Sequence, residues 1–320
     1  MTTIDIYSGF LGAGKTTLIK KMIREAYQGE KIVLIENEFG EISIDGGFLK
    51  ESGVQISEMS SGCICCSLVG DFGKALKDVE KQFHPDRILI EPSGVGKLSD
   101  VIGAVERVAD ESVTLGSFIT VADATKCKVY LKNFGEFYTN QIETASAIIL
   151  SRTGSISEEK LAAAVALLRE HNLNAVIITT PWDQLSGAQI LEAMQKQHTL
   201  TEELADMIRS AQSEEDDEEE HHHHHHHADE VFTSWGRETI KKYTRENLEK
   251  ILETLSETEE YGIILRAKGM LPAEDGTWIY FDMVPEETEI REGSPEYTGR
   301  LCVIGSKLDE AKLEQLWFAK

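Results

Sequence analysis

Residues 9–16 of this 320-residue chain read GFLGAGKT, a pattern suited to phosphate chemistry. The segment satisfies G-x-x-x-x-G-K-[ST] in full, with an apolar run before it and helical periodicity after it. In that context backbone N–H groups cradle phosphates, the lysine reaches the β- and γ-phosphates, and the hydroxyl ligates Mg²⁺. The residues predicted to bind a nucleoside triphosphate are Gly9, Gly12, Ala13, Gly14, Lys15, Thr16 and Thr17, with Thr16 also the Mg²⁺ ligand.

A carboxylate and a glycine after another apolar run complete the predicted phosphate site. The segment RILIEPSG places Glu91 directly after a strand predicted over residues 87–90. Because ligands of open α/β sheets bind at the carboxyl ends of the strands, we expect Glu91 to lie near the Mg²⁺. We expect Gly94 to donate its backbone N–H to the γ-phosphate. The predicted catalytic residues are therefore Lys15, Thr16 and Glu91.

Three of the five cysteines lie within four residues, in the segment GCICC. Cysteines this close in sequence are poor disulfide partners but suit a soft metal ion. Zn²⁺ takes four ligands in a tetrahedral arrangement, so Cys63, Cys65 and Cys66 leave one position for a carboxylate, a water or a receiving protein. Cys127 and Cys302 stand alone in the sequence, and we expect them to be packed as small hydrophobic residues.

An acidic segment follows the predicted strand KIVLI. It reads ENEFGEISID at residues 36–45 and lies where a first switch loop falls in a P-loop GTPase. The carboxylates of Glu36, Glu38 and Glu41 are predicted to complete the metal shell or to sense Mg²⁺, with Glu36 and Glu41 as ligands of the bound ion. The alternative interpretation is a solvated acidic loop.

Together these segments resemble the CobW-like metallochaperone GTPases, which are related to the GTPases that insert nickel into urease and hydrogenase. The segments that carry the resemblance are GFLGAGKTT, IENEFGEISID, GCICC, ILIEPSG, VADA, LRAKGML and RLCVIG. The resemblance implies a protein that binds GTP, Mg²⁺ and a transferred ion, either Zn²⁺ or Co²⁺ or Ni²⁺. It implies that GTP hydrolysis drives insertion of this ion into a client metalloprotein or cofactor enzyme.

One segment departs from the family pattern. Guanine-binding members carry N/T-K-x-D after a strand, and the Asp accepts hydrogen bonds from the base. Here the strand AIIL is followed by SRTG, so that Gly154 stands at the position of the Asp, while Arg152 is predicted to stack on the base as the family's lysine does. Loss of a hydrogen-bond partner at a buried polar edge costs about 1–3 kcal/mol, which weakens the predicted preference for GTP. Asp183, in TTPWDQ after the next strand, could compensate.

Two other functions stay open at this point. The first is a metal reservoir that uses histidines and thiols and has a vestigial nucleotide site. The second is a nucleotide-promiscuous, ATP-using activator of a cofactor enzyme, such as a corrinoid-dependent one. The intact Lys15, Thr16 and Glu91 argue against the first, and competition between GTP and ATP would test the second.

The order of apolar runs predicts an α/β fold followed by a second domain. Strand and helix signals alternate in residues 1–212, which predicts a P-loop domain with a doubly wound, mostly parallel sheet. Residues 213–230 read SEEDDEEEHHHHHHHADE and are predicted to be a linker whose imidazoles concentrate Zn²⁺, Ni²⁺ or Co²⁺. Residues 231–320 are predicted to form a smaller α+β domain, with a small sheet backed by two helices.

Charge and hydropathy bear on partners and location. The chain has 32 basic and 56 acidic residues, a formal net charge of −24, and no basic face suited to nucleic acid is evident. Its apolar runs are too short to span a membrane, and the first residues lack the pattern of a secretory leader. We therefore expect a cytoplasmic protein with free thiols that binds neither nucleic acid nor membrane. Homo-oligomerisation is left open.

Overall fold

The computed structural model describes residues 1–36, 55–58, 69–107, 109, 112–195, 233–285 and 287–318, with the backbone alone at 55–58 and 69–75. The chain divides into two compact units, Met1–Lys196 and Gln197–Lys320. The predicted thiol cluster, Glu38, Glu41 and the acidic and histidine-rich linker lie outside the described residues. So do the domain boundaries predicted at 212 and 231, which stay predictions.

The first unit is built on a parallel sheet. Its described strands are β1 (Thr2–Gly9), β2 (Ile32–Glu36), β3 (Gln55–Glu58), β4 (Arg87–Glu91), β5 (Val113–Asp123), β6 (Ala147–Ser151) and β7 (Val176–Ile178). They lie in the order β3-β2-β4-β1-β5-β6-β7, and every pair is parallel. The predicted P-loop α/β class is confirmed. Because β1 lies between β4 and β5, the loops that follow these three strands meet at one edge of the sheet.

Helices connect the strands of this unit. Those described are α1 (Lys15–Glu25), α2 (Val69–Phe83), α3 (Leu98–Glu106), α4 (Cys127–Thr144), α5 (Glu158–Arg169) and α6 (Gly187–Gln195). Helix α1 buries Leu18, Ile19, Met22 and Ile23, whose spacing places them on one helical face. The helix predicted over residues 186–210 is described only as α6, since the positions beyond 195 lie outside the described residues.

The central strands are buried along almost their whole length. In β2 the side chains of residues 32–36 are all buried, and β6 is buried from end to end. Strands covered by helices on both faces are apolar without alternation, which is why these runs are recognisable in the sequence. Cys127 and Cys302 are buried free thiols, as predicted.

A buried charged pair lies near the start of the central strands. Arg87, at the beginning of β4, forms an ion pair with Asp5 of β1, and its Nε lies 2.6 Å from Oε2 of Glu30. Only 2% of the Asp5 side chain is exposed. Asp5 also accepts from the hydroxyl of Tyr27 at 3.2 Å and from the backbone N–H of Ser117 at 2.7 Å. The carboxylate is thus bound by β4, by β5 and by the segment that follows α1.

The second unit is an antiparallel sheet with two described helices. Its strands are β8 (Thr233–Thr239), β9 (Ile263–Pro272), β10 (Trp278–Val284), β11 (Glu287–Gly293) and β12 (Gly299–Ser306), in the order β11-β10-β9-β12-β8. Helices α7 (Arg245–Glu257) and α8 (Glu310–Phe318) are also present. Trp278 and Trp317 are buried, as expected of core residues. Strand β11 is not predicted by the sequence, because ETEIREG is highly charged and mostly exposed at the sheet edge.

Candidate nucleotide site

The loop between β1 and α1 has the backbone conformation of a phosphate cradle. Gly9, Gly12 and Gly14 have φ angles of 143°, 67° and 106°, which residues with a side chain rarely adopt. A Cβ atom on Gly9 would lie 2.3 Å from the carbonyl oxygen of Val121 in β5. Gly14 is the N-cap of α1, so the first N–H groups of this helix face the loop without intrahelical acceptors. These groups are suited to binding phosphate oxygens.

The Lys15 side chain lies over this loop. Its Nζ donates to the carbonyl oxygens of Gly9 and Phe10, at 3.0 and 3.4 Å, and only 8% of the residue is exposed. The carbonyls hold the ammonium group inside the turn of the loop, on the chain segment predicted to surround the phosphates. The role of Lys15 at the β- and γ-phosphates stays a prediction.

Thr16 and Glu91 are in direct contact. The Thr16 Oγ1 lies 3.0 Å from Oε1 and 3.1 Å from Oε2 of Glu91. The contact exists because β4, which ends at Glu91, is the neighbour of β1. A hydroxyl and a carboxylate are hard oxygen ligands of the kind that Mg²⁺ prefers, so this donor set fits a bound Mg²⁺ beside the phosphates.

Glu36 ends β2 at the level at which Glu91 ends β4, and the two residues are paired in register. The residue is 9% exposed. On the other side of β2, the backbone of Glu58 in β3 is in register with Glu36. Three neighbouring strands therefore end in Glu at the same edge of the sheet. The role of Glu36 toward a transferred ion stays a prediction, because the thiol cluster lies outside the described residues.

The loop after β4 packs against the phosphate loop. A Cβ atom on Gly94 would lie only 2.8 Å from the backbone nitrogen of Leu11, so the two backbones approach too closely for a side chain. Gln141 of α4 is fully buried, and its Nε2 donates to the carbonyl oxygens of Gly94 at 3.2 Å and Gly96 at 2.8 Å. Gln141 therefore positions the loop that carries Gly94, a role that the sequence does not predict.

Arg152 joins three parts of the site. Its φ of 59° is left-handed, and its guanidinium donates to the Asp123 carboxylate at 2.5 Å and to the Gly12 carbonyl oxygen at 2.9 Å. Asp123 ends β5 and is 1% exposed, and it also accepts from the N–H and hydroxyl of Thr125. Stacking of Arg152 on a base stays a prediction. Asp123, in the segment VADA, contacts Arg152 at this site, and no motif of the sequence predicts the contact.

A cavity of about 370 Å³ opens beside the phosphate loop. Its wall includes Ala13 and Thr17 from the loop and α1, Arg152 and Gly154 after β6, and Trp182 after β7. The cavity adjoins the phosphate cradle and lies at the carboxyl ends of the strands, where a nucleotide base would follow the phosphates. Of the predicted nucleotide residues, Ala13, Gly14, Thr17 and Arg152 line this cavity.

Metal ligands and membrane spans were sought among the residues that the structure describes. Among these residues, no group of three or more His, Cys, Asp or Glu side chains is arranged to hold a metal ion. The cysteines predicted as ligands, Cys63, Cys65 and Cys66, lie outside the described residues. The helices described within these ranges are all too short or too polar to cross a membrane.

Known proteins resemble this chain in both units. Residues 3–179 match the family described as CobW/HypB/UreG, nucleotide-binding domain, and residues 232–319 match the cobalamin synthesis protein cobW C-terminal domain. The chain is 28% identical to zinc-regulated GTPase metalloprotein activator 1 of Schizosaccharomyces pombe, over 90% of this chain and 76% of the relative. It is 39% identical to the zinc chaperone CobW of a Sinorhizobium species, over 37% of this chain and 36% of the relative.

The chain also resembles the zinc chaperone YjiA of Escherichia coli, at 33% identity over 49% of this chain and 52% of the relative. It therefore spans about half of the length of that relative, and about a third of the Sinorhizobium relative. The resemblance inferred from the motifs is confirmed by the two family matches, the first of which alone extends over residues 3–179. On this basis, the chain belongs to the CobW/HypB/UreG family of nucleotide-binding proteins.

Proposed function

We propose that this protein is a Mg²⁺-dependent GTPase that acts as a metallochaperone and transfers Zn²⁺ to a client protein. The observation that carries the proposal is the contact of Thr16 with Glu91 beside the Lys15 ammonium group. Relatives described as zinc chaperones and as a zinc-regulated GTPase metalloprotein activator support the choice of GTP and Zn²⁺. Co²⁺ and Ni²⁺ are the other candidate ions, and the cytoplasm is the proposed location.

The geometry supports a division of labour among the residues of the phosphate site. The helix N-terminus and Lys15 supply positive charge where negative charge develops on the transferred phosphoryl group. Thr16 and Glu91 would hold Mg²⁺, which neutralises phosphate charge and orients the β- and γ-phosphates. Gly94 presents its backbone to the same region, because its loop is held against the phosphate loop.

Sheet topology supports a link between this site and the proposed metal ligands. Glu36, in register with Glu91, is the last described residue before the acidic segment 37–45. The thiols of GCICC lie between that segment and β4 in the chain. We propose that nucleotide state changes the path of this intervening chain, so that hydrolysis alters the ligands of the bound ion and favours its transfer. The receiving protein is a metalloprotein or cofactor enzyme.

The alternative of a reservoir with a vestigial nucleotide site is less well supported, since a vestigial site has no need of the Thr16–Glu91 contact. The alternative of an ATP-using activator is tested by comparing the rates of hydrolysis of GTP and ATP.

The experiment is to measure Mg²⁺-dependent GTP and ATP hydrolysis with and without one equivalent of Zn²⁺, for the wild type, Lys15→Ala and Cys65→Ser. We expect GTP-preferring turnover that responds to Zn²⁺, loss of turnover in Lys15→Ala, and loss of the Zn²⁺ response in Cys65→Ser. Absence of nucleotide binding, with Zn²⁺ still bound, would instead identify a reservoir.

A further inference from the structure

The cavity beside the phosphate loop has a carboxylate in its wall, although the family pattern does not supply one here. The position at which N/T-K-x-D carries Asp is occupied by Gly154. Asp183, on the loop after β7, lines the same cavity as Gly154 and Arg152. We infer that Asp183 is the residue that selects guanine in this protein. The inference rests on the proposed function, because it concerns the substrate of the same nucleotide site.

The two loops are in contact, so a carboxylate on one can substitute for a carboxylate on the other. A Cβ atom on Gly154 would lie 3.5 Å from Cγ of Pro181, two positions before Asp183. This is an ordinary van der Waals distance, and it shows that the loop after β7 borders the space that a side chain at position 154 would enter. Asp183 is therefore carried by a chain segment that borders position 154.

The loop that carries Asp183 is held in place by backbone hydrogen bonds. Residues 182–184 form a 3-10 turn, in which the N–H of Gln184 donates to the carbonyl oxygen of Pro181 at 3.0 Å. The N–H of Leu185 donates to the carbonyl oxygen of Trp182 at 3.3 Å, and Leu185 itself is 2% exposed. Pro fixes its own φ, and a buried Leu anchors the other end of the turn. The direction of the Asp183 backbone is thus determined before any ligand binds.

Trp182 forms a wall between this turn and the phosphate loop. Its ring atom Cη2 lies 3.2 Å from the position of a Cβ on Gly14. The indole Nε1 and the Thr153 Oγ1, both in residues of the cavity wall, are buried and have no hydrogen-bond partner among the described residues. The Trp182 ring gives this cavity an aromatic wall. A nucleotide base with an aromatic face and polar edges has the chemistry to fill it.

The carboxylate of Asp183 is available to such a base. The residue is exposed, and no hydrogen bond or ion pair to it occurs in the part of the chain that the structure describes. A carboxylate accepts hydrogen bonds from the N1–H and the exocyclic N2 of guanine. Adenine presents a lone pair at N1 and no amino group at C2, so a carboxylate at this edge rejects it. Removing the Asp183 carboxylate should therefore weaken guanine binding by about tenfold to a hundredfold, the usual cost of an unpaired buried polar edge.

The test replaces a hydrogen-bond acceptor of the side chain by a donor, and a donor of the base by an acceptor. Xanthine has a carbonyl oxygen where guanine has the N2 amino group, and the amide of Asp183→Asn can donate to that oxygen. We expect Asp183→Asn to bind GTP about tenfold to a hundredfold more weakly, to bind XTP more tightly by a similar factor, and to bind ATP as the wild type does. Affinities are measured by competition with a fluorescent GDP analogue. A damaged site would lose affinity for all three nucleotides and gain none.

A second variant tests the position of the carboxylate. Gly154→Asp has room for its Cβ and has no left-handed φ to maintain, so we expect it to restore GTP preference when combined with Asp183→Ala. Glu158→Gln, an exposed carboxylate at the start of α5, is the matched control and should leave all affinities unchanged. An unchanged ratio of GTP to XTP affinity in Asp183→Asn would overturn the inference alone. A wild-type protein that binds no nucleotide would overturn the proposed function as well.

Discussion

The Thr16 hydroxyl donates to both carboxylate oxygens of Glu91, at 3.0 and 3.1 Å, across 75 positions of sequence. The contact joins the start of α1 to the end of β4. It brings together two oxygen donors at the edge where the phosphate loop emerges from the sheet. We propose that Mg²⁺ binds at this contact and offsets the negative charge of the phosphates, and the first prediction below depends on its geometry.

Glu91→Gln should weaken the binding of the Mg²⁺ that GTP hydrolysis requires. The amide keeps the shape of the side chain and its acceptor oxygen but removes the negative charge that favours a divalent cation. We expect the Mg²⁺ concentration for half-maximal GTP hydrolysis to rise by roughly tenfold to a hundredfold, as for the loss of a supporting metal contact. The measurement is a Mg²⁺ titration of the initial rate. Glu106→Gln, an exposed carboxylate of α3, should match the wild type, and an equal effect in both variants would contradict the assignment.

Gly94→Ala should reduce hydrolysis more than it reduces GDP binding. Its Cβ would lie 2.8 Å from the Leu11 nitrogen, so either the phosphate loop or the loop after β4 must move. Because we propose that Gly94 lies at the γ-phosphate, we expect kcat to fall by about tenfold or more, with GDP affinity changed far less. The control is Gly103→Ala in α3, where a Cβ meets only the end of the Arg107 side chain at 3.9 Å. That control should be stabilised by about 0.5–1 kcal/mol, because Ala favours a helix interior over Gly.

Arg87→Met should destabilise the first unit strongly. The substitution leaves the Asp5 carboxylate, which is 2% exposed, without its buried cationic partner. Breaking a buried pair in this way costs about 3–5 kcal/mol of unfolding free energy. Arg245→Met removes an exposed pair with Glu249 and should cost at most about 1 kcal/mol. Urea denaturation followed by fluorescence compares the two variants. Equal losses would show that the Arg87 network contributes no more than a surface pair.

Cys302 should make the stability of the second unit fall at alkaline pH. Burial raises the pKa of its thiol to about 12, whereas an unfolded cysteine ionises near about 8.5. Between these two values the unfolded chain releases a proton that the folded chain retains, so the free energy of unfolding decreases as pH rises. Urea denaturation at pH 7.5 and at pH 10 measures the decrease. The decrease in the free energy of unfolding should be smaller in Cys302→Ala than in the wild type. An identical decrease in the two proteins would argue against a buried neutral thiol.

Local motifs explain which parts of the site the sequence predicts. The phosphate loop is a contiguous segment whose glycines and lysine act within eight residues, so its conformation follows from the motif itself. Glu91 is also predictable, because its place at the end of an apolar run fixes the sheet edge at which it lies. Strands β2 and β6 are recognisable for the same reason, since helices on both faces make them continuously apolar.

The contacts that the sequence does not predict depend on strand order and on long-range side-chain packing. Gln141 reaches Gly94 from the far end of a helix, and no periodicity indicates which loop it would bind. Arg152 meets Asp123 because β5 and β6 are neighbours in the sheet, and its left-handed backbone gives no signal in SRTG. In the second unit, β11 is not predicted from the sequence, because an edge strand does not need an apolar face to pair with β10.

The central claim is that GTP hydrolysis drives the release of the bound ion, and it can be measured directly. Zn²⁺-loaded protein is mixed with Mg²⁺ and a chromophoric zinc chelator, and zinc release is followed with GTP, with a non-hydrolysable GTP analogue and without nucleotide. We expect release to accelerate only with GTP, in step with phosphate production, and Lys15→Ala to remain at the nucleotide-free rate. Zinc release at the same rate in all three conditions, with GTP hydrolysis still occurring, would contradict the account.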